Sequence, residues 1–380
     1  MKFWDRVSPQ KGEWDKPFLF ALFLLIFSGL SVLYSSSSWS AMKEFEDSFY
    51  YLKKQLLWVG IGLLCMWITM NLPLEKFSKY GIVFISINLF LLVLVFVPGV
   101  GKSVSTYYGR NFNRWIGFGG IQFQPSELIK LTLLFYLSGF ITRVGSWKAE
   151  NKSEWILPSV ISLVSLILII LEPAFGTTME ISIILFLYLY ISGFQFRKIF
   201  IFLLCLVPLI YILIDKVGYR KKRIEVWLDP YKFRFEEGHQ LVSSYKAFAD
   251  GGIFGEPLSS GYAHKHLPYA HTDFILAAFV EDYGFLGFVF LFLIFSFLLF
   301  RIYRFLLKIE TPFYFYLGVG IFSLLSLQFL LNSFVETGLL PITGLSFPFL
   351  SYGGSSMLVM MISAGIYLNI VKHDGMRGKP

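Results

Sequence analysis

Charge is what this sequence has least of. Asp, Glu, Lys and Arg together make up 15% of its 380 residues, and apolar residues make up 56%. That balance excludes an ordinary soluble globular domain and suits lipid as the solvent. Cysteine is almost missing. The two present, Cys65 and Cys205, fall inside long apolar runs, so no disulfide is expected. The chain has no Cys/His spacing of a zinc site, no G-x-x-x-x-G-K-[ST] loop and no G-x-G-x-x-G after a strand. No ATP-driven engine is encoded, and no nucleic-acid partner is expected. Tandem repeats and low-complexity tracts are absent. The first apolar run ends in Tyr34-Ser35-Ser36-Ser37-Ser38, without a small-x-small cleavage site. It therefore reads as a retained span and not as a signal peptide.

What is present is long apolar sequence, rich in phenylalanine. Lipid offers no hydrogen bonds to exposed backbone, so the spans must be helices or a closed barrel. The runs do not alternate in polarity, which excludes a barrel. The expected fold is an all-α integral membrane protein with about ten transmembrane helices. They are expected at 17–38, 54–70, 79–97, 124–142, 155–172, 175–193, 198–217, 273–300, 313–335 and 352–371. Such spans and short loops use almost all of residues 1–380, which therefore form one polytopic membrane domain.

Lys and Arg set the orientation. With both termini cytoplasmic, the inner segments hold Arg143, Lys148, Lys152, Arg197, Lys198, Arg301, Arg304 and Lys308, among others, while outer loops 172–176 and 336–350 hold none. This is the positive-inside pattern. The exception is the large extracytoplasmic segment 218–272 between the seventh and eighth spans. It holds eight basic residues, four of them in the run Arg220-Lys221-Lys222-Arg223, and an anionic ligand outside is one reason for that charge.

Ionisable groups at membrane depth are costly and usually functional. Glu127 and Lys130 are three residues apart, on one helical face, and can pair. Glu172 ends the fifth span, Glu180 lies in the sixth, and Glu281 and Asp282 lie in the eighth. Either these groups only specify packing, or they line a shared polar cavity for a polar substrate. Pro and Gly cluster at the predicted outer ends, at 98–102, 124–127, 172–177 and 338–356, which suggests a structured outer face with re-entrant backbone. His264, His266 and His271 lie near Asp273 but match no zinc spacing. Ser243-Ser244-Tyr245-Lys246 fits a Ser-x-x-Lys nucleophile motif without its companion motifs and reads as a chance match.

At these motifs the chain resembles the SEDS family (shape, elongation, division and sporulation), whose members include FtsW, RodA and SpoVE. The resembling stretches are Gly101-Lys102-Ser103, Asn113-Arg114-Trp115-Ile116 and Gln124-Pro125-Ser126-Glu127-Leu128 with Lys130. They continue through Glu172-Pro173, Phe175-Gly176-Thr177, Trp227-Leu228-Asp229-Pro230 and Gly238-His239-Gln240. The strongest are Ala270-His271-Thr272-Asp273-Phe274-Ile275, Gly338-Leu339-Leu340-Pro341-Ile342-Thr343-Gly344 and Pro348 through Ser356. Val97 to Ser103 and Ala270-His271 look more like the division branch than the elongation branch. Three departures stand out. Ala174 takes the place of the usual Asp after Glu-Pro, Glu281-Asp282-Tyr283-Gly284 that of Glu-Glu-Leu-Gly, and Asn113 that of an Arg before Arg114-Trp115. Glu180 is a candidate substitute for the carboxylate missing at 174.

The resemblance implies a ten-helix peptidoglycan glycosyltransferase in the bacterial cytoplasmic membrane, at the division septum. It would polymerise lipid II outside the membrane, beside a class B penicillin-binding protein and other division proteins. A carboxylate that takes the proton of the attacking hydroxyl would help. The departing pyrophosphate needs positive charge or a divalent cation such as Mg or Mn. Asp273 is the base candidate, with His271 and Thr272 placed to orient it by hydrogen bonds. The plainer reading is that Thr272 or Asp273 caps the following helix, whose dipole would keep the Asp273 pKa low. Lys102, Arg114 and the run 220–223 are candidates for pyrophosphate contact. Glu127, Lys130, His271, Ser351 and Ser355 are expected at the substrate, and Glu172, Glu180 and Glu281 in a polar network behind it. The rival readings are a lipid II flippase, an elongation-type polymerase and a non-catalytic division scaffold.

Overall fold

The computed structural model describes residues 13–105, 111–118, 121–145, 152–198, 201 and 218–374. Among these, seven helices are long and apolar enough to cross a membrane. They are α1 (Lys16–Phe45), α2 (Tyr50–Asn71), α3 (Gly81–Leu94, led in by a turn from Leu74), α5 (Ile156–Leu171), α10 (Ile275–Leu306), α11 (Pro312–Glu336) and α12 (Gly354–Asp374). Two further expected spans are helical. The first, α4 (Pro125–Val144), carries Glu127 and Lys130; the second, α6 (Phe175–Ile191), is shorter. The expected span at 198–217, with Cys205, lies almost wholly outside the described residues.

Local chemistry explains where these helices begin. Asp15 accepts a hydrogen bond from the Phe18 amide at 3.1 Å and starts α1. Pro125 and Pro312 sit in the first turns of α4 and α11, where a missing N–H is tolerated. Side chains such as Phe27, Phe90, Leu163 and Phe290 remain exposed on the spans, as surfaces facing lipid should. Small residues let the helices touch. A Cβ on Gly365 of α12 would meet Thr69 and Met66 of α2 within 2.6 Å, so only glycine permits that approach. At the start of α1, Arg301 donates to both carboxylate oxygens of Asp15 (3.0 and 2.8 Å) and the Tyr367 hydroxyl adds a further bond at 2.7 Å. This buried cluster ties α1, α10 and α12 together.

The segments between the helices are more ordered than a set of loops. A three-stranded antiparallel sheet, β1 (Gly101–Ser105), β2 (Asn111–Phe118) and β3 (Ile121–Phe123), precedes α4. No strand was expected there, because Asn113-Arg114-Trp115-Ile116 runs polar, polar, apolar, apolar and lacks the period-2 signal of a strand. Segment 218–272 is likewise not a simple loop. It contains α7 (Gly218–Leu228), α8 (His239–Asp250) and the single turn α9 (Ala263–His266). Its glycine-rich turn docks at a break in α10. Gly284 has φ +66, and the freed Phe285 and Leu286 amides donate to the Gly252 and Ile253 carbonyls at 2.9 and 3.1 Å.

Residues 338–353 between α11 and α12 are largely non-helical, yet much of this backbone is buried. Backbone of that kind survives at membrane depth only if its polar groups find partners inside the protein. Amide side chains on the apolar helices supply them. Asn332 donates to the Leu345 carbonyl at 2.7 Å, Gln328 to the Ser346 carbonyl at 3.0 Å and Gln55 to the Ser351 carbonyl at 3.2 Å.

Candidate functional site

The N-terminal end of α10 is built from several segments. Asp273 lies two residues before the first residue of α10 and is half-buried. Its own peptide carbonyl accepts a hydrogen bond from Asn332 at 3.2 Å. Its carboxylate has no hydrogen-bond partner among the described residues. Gly344, at φ +74, passes close by: a Cβ built there would lie 3.4 Å from Asp273 Oδ2. That is ordinary van der Waals contact, so it is the left-handed backbone of this position that calls for glycine.

Two arginines from different segments bring positive charge to this carboxylate. Arg114 lies at a register shift of β2, where it pairs with no residue of β1, and donates to the Glu172 and Pro173 carbonyls, both at 2.8 Å. Arg223 of α7 donates to the Ile342 carbonyl at 3.0 Å. Burial pushes the Asp273 pKa up from its ordinary 3.8 to about 6, against the opposing pull of Arg114 and Arg223. The low pKa expected from a helix dipole is therefore corrected. The dipole is taken by another residue: Glu336, at the end of α11, accepts from the Ala277 and Leu276 amides at 2.8 and 3.3 Å. Neither Thr272 nor Asp273 caps α10, whose N-terminus has no local side-chain cap.

The neighbours expected to orient Asp273 face elsewhere. His271 packs against the rings of Tyr51 and Tyr352, with centroids 4.6 and 5.9 Å away. Burial lowers its pKa to about 4, so it is neutral near pH 7. The Thr272 hydroxyl donates to the Tyr269 carbonyl at 3.2 Å. Ser351 and Ser355, expected along the substrate groove, are buried with their hydroxyls engaged. Ser351 accepts from the Phe347 amide at 2.7 Å and donates to the Thr272 carbonyl at 2.5 Å. Ser355 accepts from the Gln124 amide at 2.9 Å. Ser351 thus serves the loop, and Ser355 the backbone that leads into α4.

The charged network behind the site is assembled around Lys130. Its ammonium lies 3.0 Å from Glu127 and 3.3 Å from Glu180, and donates to Gln328 at 3.2 Å. Glu180 thus supplies a carboxylate to Lys130 where Ala174 supplies none. Gln328 passes the network on to Ser346 and Ser356, whose hydroxyls are 2.6 Å apart. Glu172 is fully buried, and burial raises its pKa to about 8, opposed by Ser126 and Arg114.

Other expected residues lie apart from Asp273. Lys102 pairs across the sheet with Trp115 and stays exposed. Glu281 accepts from the Tyr262 and Ala263 amides at 2.7 and 2.9 Å and holds α9. The three histidines go to three different places: His264 to Asp282 at 2.8 Å, His266 onto the Tyr262 ring, and His271 to its tyrosines. The basic run divides. Lys222 lies 3.8 Å from both Glu236 and Glu237 and over the Phe233 ring, whereas Arg223 turns to the site. In the Ser-x-x-Lys match, the Ser244 hydroxyl donates to the Glu336 carbonyl at 2.9 Å and Lys246 sits over Tyr262. Sequence reasoning missed Glu336, Asn332 and Gln328. The available signal was polar residues at intervals of four along one apolar helix.

Comparison with known proteins agrees with this architecture. A family model described as "Cell cycle protein", of the FtsW, RodA and SpoVE type, matches residues 16–375. A protein of Geobacter sulfurreducens named "Probable peptidoglycan glycosyltransferase FtsW" is 36% identical over 90% of this chain and 91% of its own length. Stage V sporulation protein E of Bacillus subtilis is 34% identical over 97% of this chain and 100% of its own. Among solved structures, a chain of a peptidoglycan synthase complex superposes with a TM-score of 0.77 at 26% identity, covering 96% of this chain and 99% of that one. The rod shape determining protein RodA of Thermus thermophilus superposes with a TM-score of 0.69 at 23% identity, covering 96% and 98%, and bears on the fold. The chain is a multi-pass membrane protein and belongs to the FtsW/RodA/SpoVE family of cell cycle proteins.

Proposed function

We propose that this chain is a peptidoglycan glycosyltransferase that polymerises lipid II for the septal wall, with Asp273 as its general base. The observation that carries the reading is the Asp273 carboxylate itself. It is half-buried, has no hydrogen-bond partner among the described residues, and lies within electrostatic reach of Arg114 and Arg223. An ionised carboxylate with a pKa near 6 is available at neutral pH and retains basicity. In the reaction, the sugar 4-hydroxyl oxygen attacks the anomeric carbon, and its proton passes to Asp273. The bond from that carbon to the pyrophosphate oxygen breaks, and the electron pair leaves with the lipid pyrophosphate. Arg114 and Arg223 are placed to meet the charge that develops there.

The residues around Asp273 do not fit a resident divalent metal. Glu336 is engaged by helix amides, two arginines occupy the electrostatic surroundings, and no group of three His, Cys, Asp or Glu among the described residues is placed to hold an ion. In this reading Arg114 and Arg223 meet the charge of the leaving group.

The proposed topology has about ten spans and cytoplasmic termini, with 218–272 folded on the outer face of one polytopic domain. The proposed site of action is the division septum of the bacterial cytoplasmic membrane, beside a class B penicillin-binding protein. Relatives named FtsW and the likeness to a chain of a synthase complex that couples polymerization to crosslinking support this reading. The test is polymerisation by the purified chain of lipid II already accessible from the outer side, where no flipping is needed. Glycan product is the expected result; transport without polymer would favour a flippase.

A further inference from the structure

We propose that Glu336, together with Asn332 one turn before it, is a positioning residue that holds Asp273 in its reactive geometry from the end of α11. This inference rests on the assignment of Asp273 as the base. Glu336 is fully buried, an expensive place for a carboxylate unless it is thoroughly engaged. Its two oxygens accept from the Leu276 and Ala277 amides, in the first turn of the helix that Asp273 leads into. Four residues earlier, and so on the same face of α11, Asn332 donates to the Asp273 carbonyl at 3.2 Å and to the Leu345 carbonyl at 2.7 Å. One turn of one helix therefore grips the peptide of Asp273, the start of α10 and the loop that carries Gly344 past the carboxylate.

The grip is itself braced from outside. The Ser244 hydroxyl of α8 donates to the Glu336 carbonyl at 2.9 Å, and the Trp227 indole of α7 donates to the Gly338 carbonyl at 2.8 Å. The capping chemistry also divides the labour. Helix N-termini favour a carboxylate, and a local carboxylate in that position would spend its lone pairs on amides. Because Glu336 does this from another helix, Asp273 is left free to accept a proton.

The test compares Glu336→Gln, Asn332→Ala and Asp273→Asn in a reconstituted polymerisation assay on lipid II, using protein that elutes as a single species in detergent. Gln keeps one acceptor but turns an NH₂ toward an amide donor, so the first turn of α10 shifts. Misplacement of about 1 Å can lower a rate by up to about a hundredfold. Glu336→Gln should lower kcat at least about tenfold with KM within about twofold, because the clamp touches the base and not the substrate. In an Asp273→Asn background the same change should lower the residual rate no further.

Parental kcat in folded Glu336→Gln would overturn the proposal, and so would an equal loss in both backgrounds. If Glu336→Gln does not fold, Asn332→Ala is read by the same criteria; if neither folds, the pair is purely structural and the proposal falls. An active Asp273→Asn variant sinks the base assignment itself, whatever Glu336→Gln does. An inactive Asp273→Asn beside an unaffected Glu336→Gln sinks the positioning role alone.

Discussion

Replacing Lys130 by Met keeps the aliphatic stem and removes the charge. The structure gives Lys130 three partners at once: Glu127 at 3.0 Å, Glu180 at 3.3 Å and Gln328 at 3.2 Å. Its side chain is completely buried, so no water replaces what is lost. Lys130→Met leaves two buried carboxylates without a cation, a change that costs about 3–5 kcal/mol for one broken buried pair. Glu127→Gln is milder, because Lys130 keeps Glu180; the loss of one charge-assisted bond is about 1.5–3 kcal/mol. Neutralising all three in Lys130→Met/Glu127→Gln/Glu180→Gln removes every buried charge of the cluster, and uncharged replacements of buried ion pairs are often near neutral. The expected order of thermal stability in detergent, at one scan rate, is parent, then Glu127→Gln, then the triple variant, then Lys130→Met. Strictly additive losses, with the triple variant least stable, would refute the shared network.

The pKa of Asp273 predicts a pH profile. With the base at about 6, the logarithm of kcat should rise with unit slope up to about pH 6 and level off above it; a plateau reaching down to the ordinary 3.8 would contradict the buried base. The sign for stability is opposite. A raised carboxylate pKa means that the fold loses stability as pH rises from about 3.8 to about 6, by about 3 kcal/mol in full at 1.36 kcal/mol per tenfold, so Asp273→Asn should be at least as stable as the parent at neutral pH. Gly344→Ala forces a side chain into a left-handed backbone, a penalty of about 1–2 kcal/mol, and sets a methyl 3.4 Å from Asp273 Oδ2. Because that contact is an ordinary van der Waals distance, the cost should appear as a lower thermal stability in detergent, and parental stability would refute the left-handed strain at this position. Arg223→Gln should raise the KM for lipid II, most at low salt, while Lys222→Gln, whose charge is held by Glu236 and Glu237, should not; equal effects would point to an undivided basic patch.

Much of the architecture was legible because bilayer thickness sets the length of an apolar run. The expected span 313–335 appears as Pro312–Glu336, and 124–142 appears as Pro125–Val144. Glu127 and Lys130 were legible as a pair because i,i+3 spacing is a local rule. Their third member needed the tertiary structure, since Glu180 is 50 residues from Lys130. Distance in sequence also hid the Asp15–Arg301 pair, 286 residues apart.

The cap of α10 was misassigned for a related reason. A sequence offers only the residues just before a helix as its caps, and here the cap comes from Glu336, 59 residues after Ala277. A charge at the end of an apolar run reads as a span boundary, so Glu336 drew no attention. Ser351 and Ser355 were read as ligand contacts because a hydroxyl in a glycine-rich loop can face either way. Only the buried Phe347 amide and the half-buried Gln124 amide decide that they face inward.

The central claim is that a single carboxylate at the N-terminal end of α10 drives glycan polymerisation. The most direct test is the initial rate of polymer formation from externally accessible lipid II by purified parent and Asp273→Asn, each checked for thermal stability in the same detergent. Asn is nearly isosteric and Glu336 still caps the helix, so the variant should fold as the parent does. If the base supplies the usual contribution, its rate should fall by about 10²–10⁴-fold. A stable Asn variant that polymerises at the parental rate would contradict the account.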